Sequence, residues 1–294
     1  MIRKYFTDIT LVVVAIIWAL NFSVVKVSLS EIDPYSFNAI RFIFASGLLC
    51  AAAYKKGVSI KVSKVHFWPM VGIGLIGNLV YQVLFIIGIN LTLAANAAVM
   101  LGTIPIWVAI FSHFFTDEKL TVLKTVGILF AFGGVAFIIT GGKNPISFES
   151  DTFIGDIITI LSAVVWAIYT ILSKKYLKHY NSTQFSGFMS LIGFICLFTI
   201  GTPFLFKMDW SAVSVPAYGG IVYSGLFSVG LAYLIWNNGI SKIGAVRTAA
   251  YQNLVPVLGL LFGVLILDEQ LTPFQYIGSL FVITGIVMAR YKTR

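Results

Sequence analysis

AIIWAL at residues 15–20 returns as AVVWAI at 163–168, and TDEKLT at 116–121 returns as LDEQLT at 267–272. The offsets are 148 and 151 residues. Asp8 and Asp156 each precede their tryptophan, Trp18 or Trp166, by ten positions. At the second offset Pro105 aligns with Pro256, Gly88 with Gly239, Gly127 with Gly278 and Phe111 with Phe262. A three-residue difference in length between the two blocks accounts for the change of offset. The chain therefore reads as two copies of one unit, residues 1–140 and 156–294, joined by a linker at 141–155.

The composition says what surrounds these units. Of 294 residues, 59% are hydrophobic and 11% charged, against about 25% charged in an ordinary soluble domain. Apolar runs fall at 9–29, 34–54, 67–88, 93–115, 121–140, 156–175, 183–203, 216–238, 245–267 and 273–290. Each is near the roughly 20 residues that a helix needs to cross hydrocarbon. The roughly ten-residue alternation of a membrane barrel is absent. The expectation is an all-α polytopic membrane protein with ten transmembrane helices. The first run has no small-residue cleavage site after it, so it reads as a retained helix. Cys50 and Cys196 lie inside apolar runs and read as small hydrophobes.

Charge orients the bundle. Counting alternate connectors, sixteen of the 20 Lys and Arg fall on one side, while only Lys143 and Lys207 fall on the other. Cytoplasmic loops collect Lys and Arg. The excess of +9 thus reports topology, not nucleic-acid binding. Both termini are expected in the cytoplasm, with the 141–155 linker external and the protein integral to the cytoplasmic membrane. Five spans per unit is an odd number, so the second unit enters from the opposite face. Two inverted repeats of similar sequence can adopt each other's conformation around a shared central site, which is the architecture of secondary transporters.

At these residues the chain resembles the drug/metabolite transporter superfamily, and within it the ten-helix EamA-type members. The resemblance rests on W-A-L-N-F-x-x-x-K from Trp18 to Lys26 and on Pro34 followed by Arg41-Phe42. It rests also on the apolar helix with central Pro105 ending in Asp117-Glu118-Lys119-Leu120, and on the return of that block around Pro256 and Asp268-Glu269. It covers nearly the whole chain. Ala19 departs from the pattern, which often has Gly after the Trp. The resemblance implies transport of small organic solutes, often export, and does not choose among amino acids, sugars, nucleotide-type compounds and drugs.

A transporter needs a polar cavity at mid-membrane. Hydrocarbon cannot hydrogen-bond an amide, so polar faces of spanning helices should turn inward. On the fourth span Asn96, Met100, Thr103 and Trp107 share a helical face, and on the third Asn78, Tyr81, Gln82 and Phe85 do so. The first span offers Trp18 and Asn21, the sixth Trp166 and Tyr169, and the eighth Tyr233 and Asn237. The ninth adds Arg247, Tyr251 and Gln252. The competing reading is that these groups are interhelical hydrogen-bond glue. Pro105 and Pro256 each free the carbonyl four residues earlier and are hinge candidates. Leu11 is expected to face lipid. Small-residue stripes at Gly127, Ala131 and Gly134, and at Gly278 and Gly285, mark the fifth and tenth spans as contact helices.

Two sets of charges are expected to act as gates. Lys26 would meet the Asp268/Glu269 turn on one face, and Lys174 or Lys175 the Asp117/Glu118 turn on the other. No Asp or Glu sits at the centre of a span, and no phosphate-cradling loop, zinc motif or nucleophile elbow occurs. Neither a cofactor nor a metal is expected, and no catalytic residues are assigned. A membrane-embedded enzyme and a non-transporting receptor or scaffold remain as alternatives. The expected partners are a small-molecule substrate and lipid, with an oligomer allowed but not required. Among substrates, amino acids and related metabolites rank first, because aromatic and amide walls suit a neutral or zwitterionic solute.

Overall fold

The computed structural model describes residues 2–92, 97, 100–116, 121–140, 150–258, 261 and 272–290. Among these residues the chain forms ten helical segments. The first half holds α1 (Ile2–Leu29), α2 (Pro34–Lys55), α3 (Lys64–Leu91), α4 (Met100–Phe115) and α5 (Val122–Thr140). The second holds α6 (Ser150–Tyr176), α7 (Ser182–Leu205), α8 (Val215–Ile243), α9 (245–258) and α10 (Pro273–Arg290). Six of the helices, α1, α2, α3, α6, α7 and α8, are long and apolar enough to cross a membrane, and shorter apolar helices lie in α4, α5 and α10. The expected spans 93–115 and 245–267 extend into residues outside the described set.

Local chemistry sets the ends. Asp33 accepts from the backbone N–H groups of Tyr35 and Ser36, with Pro34 opening α2. Its counterpart Asn181 accepts from the Gln184 N–H at the start of α7. Side-chain caps of this kind satisfy donors that the first helical turn leaves free. Gly244, at φ 89°, closes α8 and leads directly into α9. That backbone angle strains any residue with a Cβ.

The packing obeys an exchange of halves. Helix α1 packs on α8, and its counterpart α6 packs on α3. Helix α2 packs on its own counterpart α7, and α5 on α10. The last pair shows the symmetry at atomic level. A Cβ added to Gly134 would meet the Gly278 carbonyl, and one added to Gly285 would meet the Gly127 carbonyl. Each contact is the repeat image of the other. The small-residue stripes thus let two backbones touch, as close helix pairs in membranes do.

Two kinds of break interrupt the helices. Helix α3 contains a π-helical turn at Ile76–Val80, and α8 one at Ser224–Leu231. Shifted by the repeat offset, the first falls within the second. A π turn inserts an extra residue and rotates the face beyond it. In α4 the break comes at Thr103, ahead of Pro105: Thr103 N–H returns to the Met100 carbonyl, and Ile106 N–H to the Thr103 carbonyl. Helix α9 has its matching 3₁₀ turn at Tyr251–Asn253, ahead of Pro256. Each proline follows the tight turn that its missing N–H favours.

The exterior carries large apolar side chains, among them Ile9, Val13, Phe130, Ile195 and Leu280. Lipid leaves such surface without penalty, whereas water would not. Leu11 corrects the expectation that it faces lipid: it is 1% exposed and touches the Cβ position of Gly239. Thr159, its repeat counterpart, stands against Gly88 in the same way. Helix packing, not lipid, claims that face of α1.

Candidate functional site

A cleft lies among six of the helices. Helix α1 supplies Trp18, Asn21 and Phe22, α2 supplies Arg41, and α3 supplies Tyr81, Gln82 and Phe85. Leu101 and Gly102 come from α4, Ser228, Val229 and Tyr233 from α8, and Gln252, Val255 and Pro256 from α9. The walls mix aromatic and aliphatic surface with three amides, two phenols and one guanidinium, the usual make-up of a small-molecule pocket.

Hydrogen bonds fix the polar groups. Gln82 donates from Nε2 to the Tyr233 hydroxyl at 2.5 Å and accepts from the Arg41 guanidinium at Oε1. Arg41 donates a second bond to the Ser224 hydroxyl at 3.2 Å. Its guanidinium lies 5.3 Å from the Phe37 ring centre and 5.8 Å from that of Phe85. The Trp18 indole donates to the Ser228 carbonyl at 3.1 Å, a carbonyl of the π turn in α8. The Trp18 ring meets Trp166 at 6.1 Å and Trp236 at 5.1 Å. Trp166 in turn contacts Tyr81 at 4.6 Å and Tyr233 at 4.9 Å. Edge and tilted contacts of this kind lock ring orientations.

The structure brings together six of the residues singled out from sequence as substrate-binding: Trp18, Asn21, Tyr81, Gln82, Tyr233 and Gln252. Pro256 joins them, while Pro105 is buried outside the lining. Trp166 sits behind the wall, 1% exposed. Tyr169 donates to Asn237 Oδ1 at 3.4 Å, and Asn237 donates to the Ser186 hydroxyl at 2.9 Å, a sealed network beside α7. Asn78 is buried against the Cβ position of Gly193. Met100 and Thr103 form the break in α4, with the Trp107 indole donating to Thr103 Oγ1 at 3.1 Å. Arg247 is half-buried at the start of α9. Tyr251 donates to Asp8 Oδ1 at 2.6 Å. Asn96 lies outside the described residues.

Sequence reasoning missed Arg41, Ser228 and Val229 as lining residues. Arg41 carried a usable signal, because an ionisable residue inside a span defaults to the interior. Ser228 and Val229 did not, because the π turn that presents them leaves no mark in a 3.6-residue pattern.

The gating candidates are only partly described. Lys26 donates to the Thr92 carbonyl at 2.9 Å, and the Thr92 hydroxyl donates to Asp156 at 2.5 Å. This chain ties the end of α1 to the end of α3 and to α6. Lys174 and Lys175 line a crevice with Phe115 and Thr116, the residues just ahead of Asp117. Asp117, Glu118, Asp268 and Glu269 lie outside the described residues.

Comparison with known proteins agrees with this architecture. The chain is 27% identical to the uncharacterized transporter YyaM of Bacillus subtilis, over 92% of this chain and 88% of that one. It is 31% identical to an uncharacterized transporter of Archaeoglobus fulgidus, over 97% and 98%. A probable amino-acid metabolite efflux pump of Escherichia coli is 26% identical, over 96% and 93%. A solved crystal structure shares the fold, with a TM-score of 0.81 over 98% of this chain and 96% of that chain at 18% identity. The profile of the EamA-like transporter family matches residues 5–140 and again 153–291. The chain is therefore an integral membrane protein built from two EamA halves, and it belongs to the EamA-like transporter family, a family of transporters rather than enzymes.

Proposed function

We propose that this protein carries small organic solutes, amino acids and related metabolites foremost, out across the cytoplasmic membrane by alternating access. The observation that carries the reading is an asymmetry between equivalent residues. Trp18 and Asn21 line the cleft, while their repeat counterparts Trp166 and Tyr169 are buried outside its lining. Two halves of similar sequence thus hold different conformations. Exchanging those conformations would seal Trp18 and Asn21 and open a cleft on Trp166 and Tyr169. That exchange is the movement an inverted repeat makes possible. The likeness to a probable amino-acid metabolite efflux pump supports both the solute class and the direction. The sixteen-to-two split of basic residues supports cytoplasmic termini and an external 141–155 linker.

In this account the units 1–140 and 156–294 rock against each other on the α5–α10 and α2–α7 contacts. Lys26 and Lys174 or Lys175 bias the two end states through the acidic turns at 268–269 and 117–118. Exposed pairs of this type contribute only about 0–1 kcal/mol. States balanced within a few kcal/mol need no more than that to change their populations. The test is flux into liposomes holding purified protein, over a panel of amino acids and metabolites. Saturable movement of amino acids above protein-free liposomes is expected. A panel with no moved solute contradicts the reading.

A further inference from the structure

Arg41 is buried in the middle of α2 at 1% exposure, and it lines the cleft. Its partners are two neutral acceptors, Gln82 Oε1 and Ser224 Oγ, with the rings of Phe37 and Phe85 nearby. Its Nε–H has no partner, and among the described residues no carboxylate pairs with it. A guanidinium stays cationic. Burying a lone cation is costly unless an anion offsets it. Among the described residues the protein supplies none, and the cleft lies beside it.

Two more unpartnered groups belong to the same cleft. The carbonyl ends of Asn21 on α1 and Gln252 on α9, Oδ1 and Oε1, are buried and have no hydrogen-bond partner among the described residues. A charged fork of donors and two neutral acceptors thus border one cavity. The donor fork matches a carboxylate, with two parallel N–H···O bonds. The acceptors match an ammonium. Trp18, Phe22 and Phe85 leave an apolar wall between them. Among the described residues that line the cleft, a single guanidinium is too little charge for a polyphosphate, and no carboxylate is offered to a cationic drug.

We propose that Arg41 docks the carboxylate of the transported solute, with Asn21 and Gln252 receiving its ammonium, so that the preferred class is a neutral α-amino acid with an apolar side chain. This rests on the transporter reading above and narrows it. On docking, the carboxylate would take the free Nε–H and displace or share the Gln82 contact. Because Gln82 also holds Tyr233, occupancy of the cleft would then be felt directly by α8.

The experiment uses wild-type protein in liposomes with labelled L-phenylalanine, L-leucine and L-valine, each competed by its own carboxamide and its own decarboxylated amine. At least about a tenfold weaker competition by the carboxylate-free analogues than by the parent amino acid is expected, the factor a charged hydrogen bond supplies. Arg41→Gln should abolish that preference, and Arg41→Lys should keep part of it. If Arg41→Gln does not fold, the wild-type analogue series decides alone. Equal competition by carboxamides overturns the inference and leaves the transporter reading standing. Absence of flux for all three amino acids, with other metabolites still moved, also overturns it. Absence of any flux overturns both.

Discussion

Gln82 and Tyr233 occupy the same place in the two halves of the chain, and they hydrogen-bond to each other at 2.5 Å. A bond between repeat-equivalent residues can lie only on the axis that exchanges the halves. Trp18 and Trp166, also equivalent, meet there too, at 6.1 Å. The cleft is therefore built against the symmetry axis, where a change in one half is felt at once by the other.

Tyr233→Phe removes the hydroxyl that accepts from Gln82. Interhelical hydrogen bonds in membrane proteins average about 0.6 kcal/mol, so the melting temperature should move little. Transport should fall by about fivefold or more, because the Arg41–Gln82–Tyr233 chain loses its last member; a fivefold loss corresponds to about 1 kcal/mol. Flux and thermal melting on the same preparation check this. A large loss of stability with normal specific activity would assign the bond to packing alone.

Gly285→Val should be severely destabilising, because its Cβ would run into the Gly127 carbonyl and Ala131 on α5. Overpacking typically costs about 1–3 kcal/mol, and a backbone atom cannot give way as a side chain does. Gly133→Ala, on the same face-to-face pair but with nothing within 4 Å of the new Cβ, should leave melting unchanged or slightly raised. Similar melting of the two variants would contradict the α5–α10 contact.

These cases mark how far the sequence could be read. Repeat offsets located the α5–α10 pair and its reciprocal glycines, because a duplicated block records symmetry directly. Helical periodicity placed Tyr81, Gln82 and Phe85 together on the cleft. It also grouped Asn78 with them and Asn237 with Tyr233, and the structure separates both pairs. A π turn precedes or includes each of those segments and rotates the face. No residue type announces a π turn, so that rotation was invisible. Tyr169 and Asn237 satisfy each other, and pairing across 68 positions cannot be deduced from either helix alone. Arg41 was legible as a cation within a span, with Asn38 three residues earlier on the same helical face.

The Lys26 gate predicts a coupling. In the conformer described, the Lys26 ammonium rests on the Thr92 carbonyl. If it moves to the Asp268/Glu269 turn when that face closes, Lys26→Glu should slow flux, and adding Glu269→Lys should restore part of it. The rescue should shrink in high salt, which screens exposed pairs. Strictly additive losses at low and high salt would exclude the contact.

Acid should loosen one tie between the halves. Glu31, in the connector after α1, accepts from the Ser214 N–H at 2.7 Å and its hydroxyl at 2.8 Å. Those two bonds hold the carboxyl below its ordinary value of 4.5. A lowered folded pKa contributes stability above the unfolded value and loses it as pH falls through the folded one. Glu31→Gln should therefore melt below wild type at neutral pH, by a small margin at so exposed a site, and the gap should close as pH drops below 4.5. A gap that is constant with pH would point away from the charge.

Alternating exposure of the cleft is the central claim, and a single cysteine at Ser228, which lines it, tests it most directly. Cys50 and Cys196 are first replaced, since both are free thiols. An impermeant thiol reagent is then applied to intact cells and, separately, to inside-out vesicles. The account predicts labelling from both faces, slowed in each case by the same transported amino acid. Labelling from one face only, unaffected by any transported solute, would contradict it.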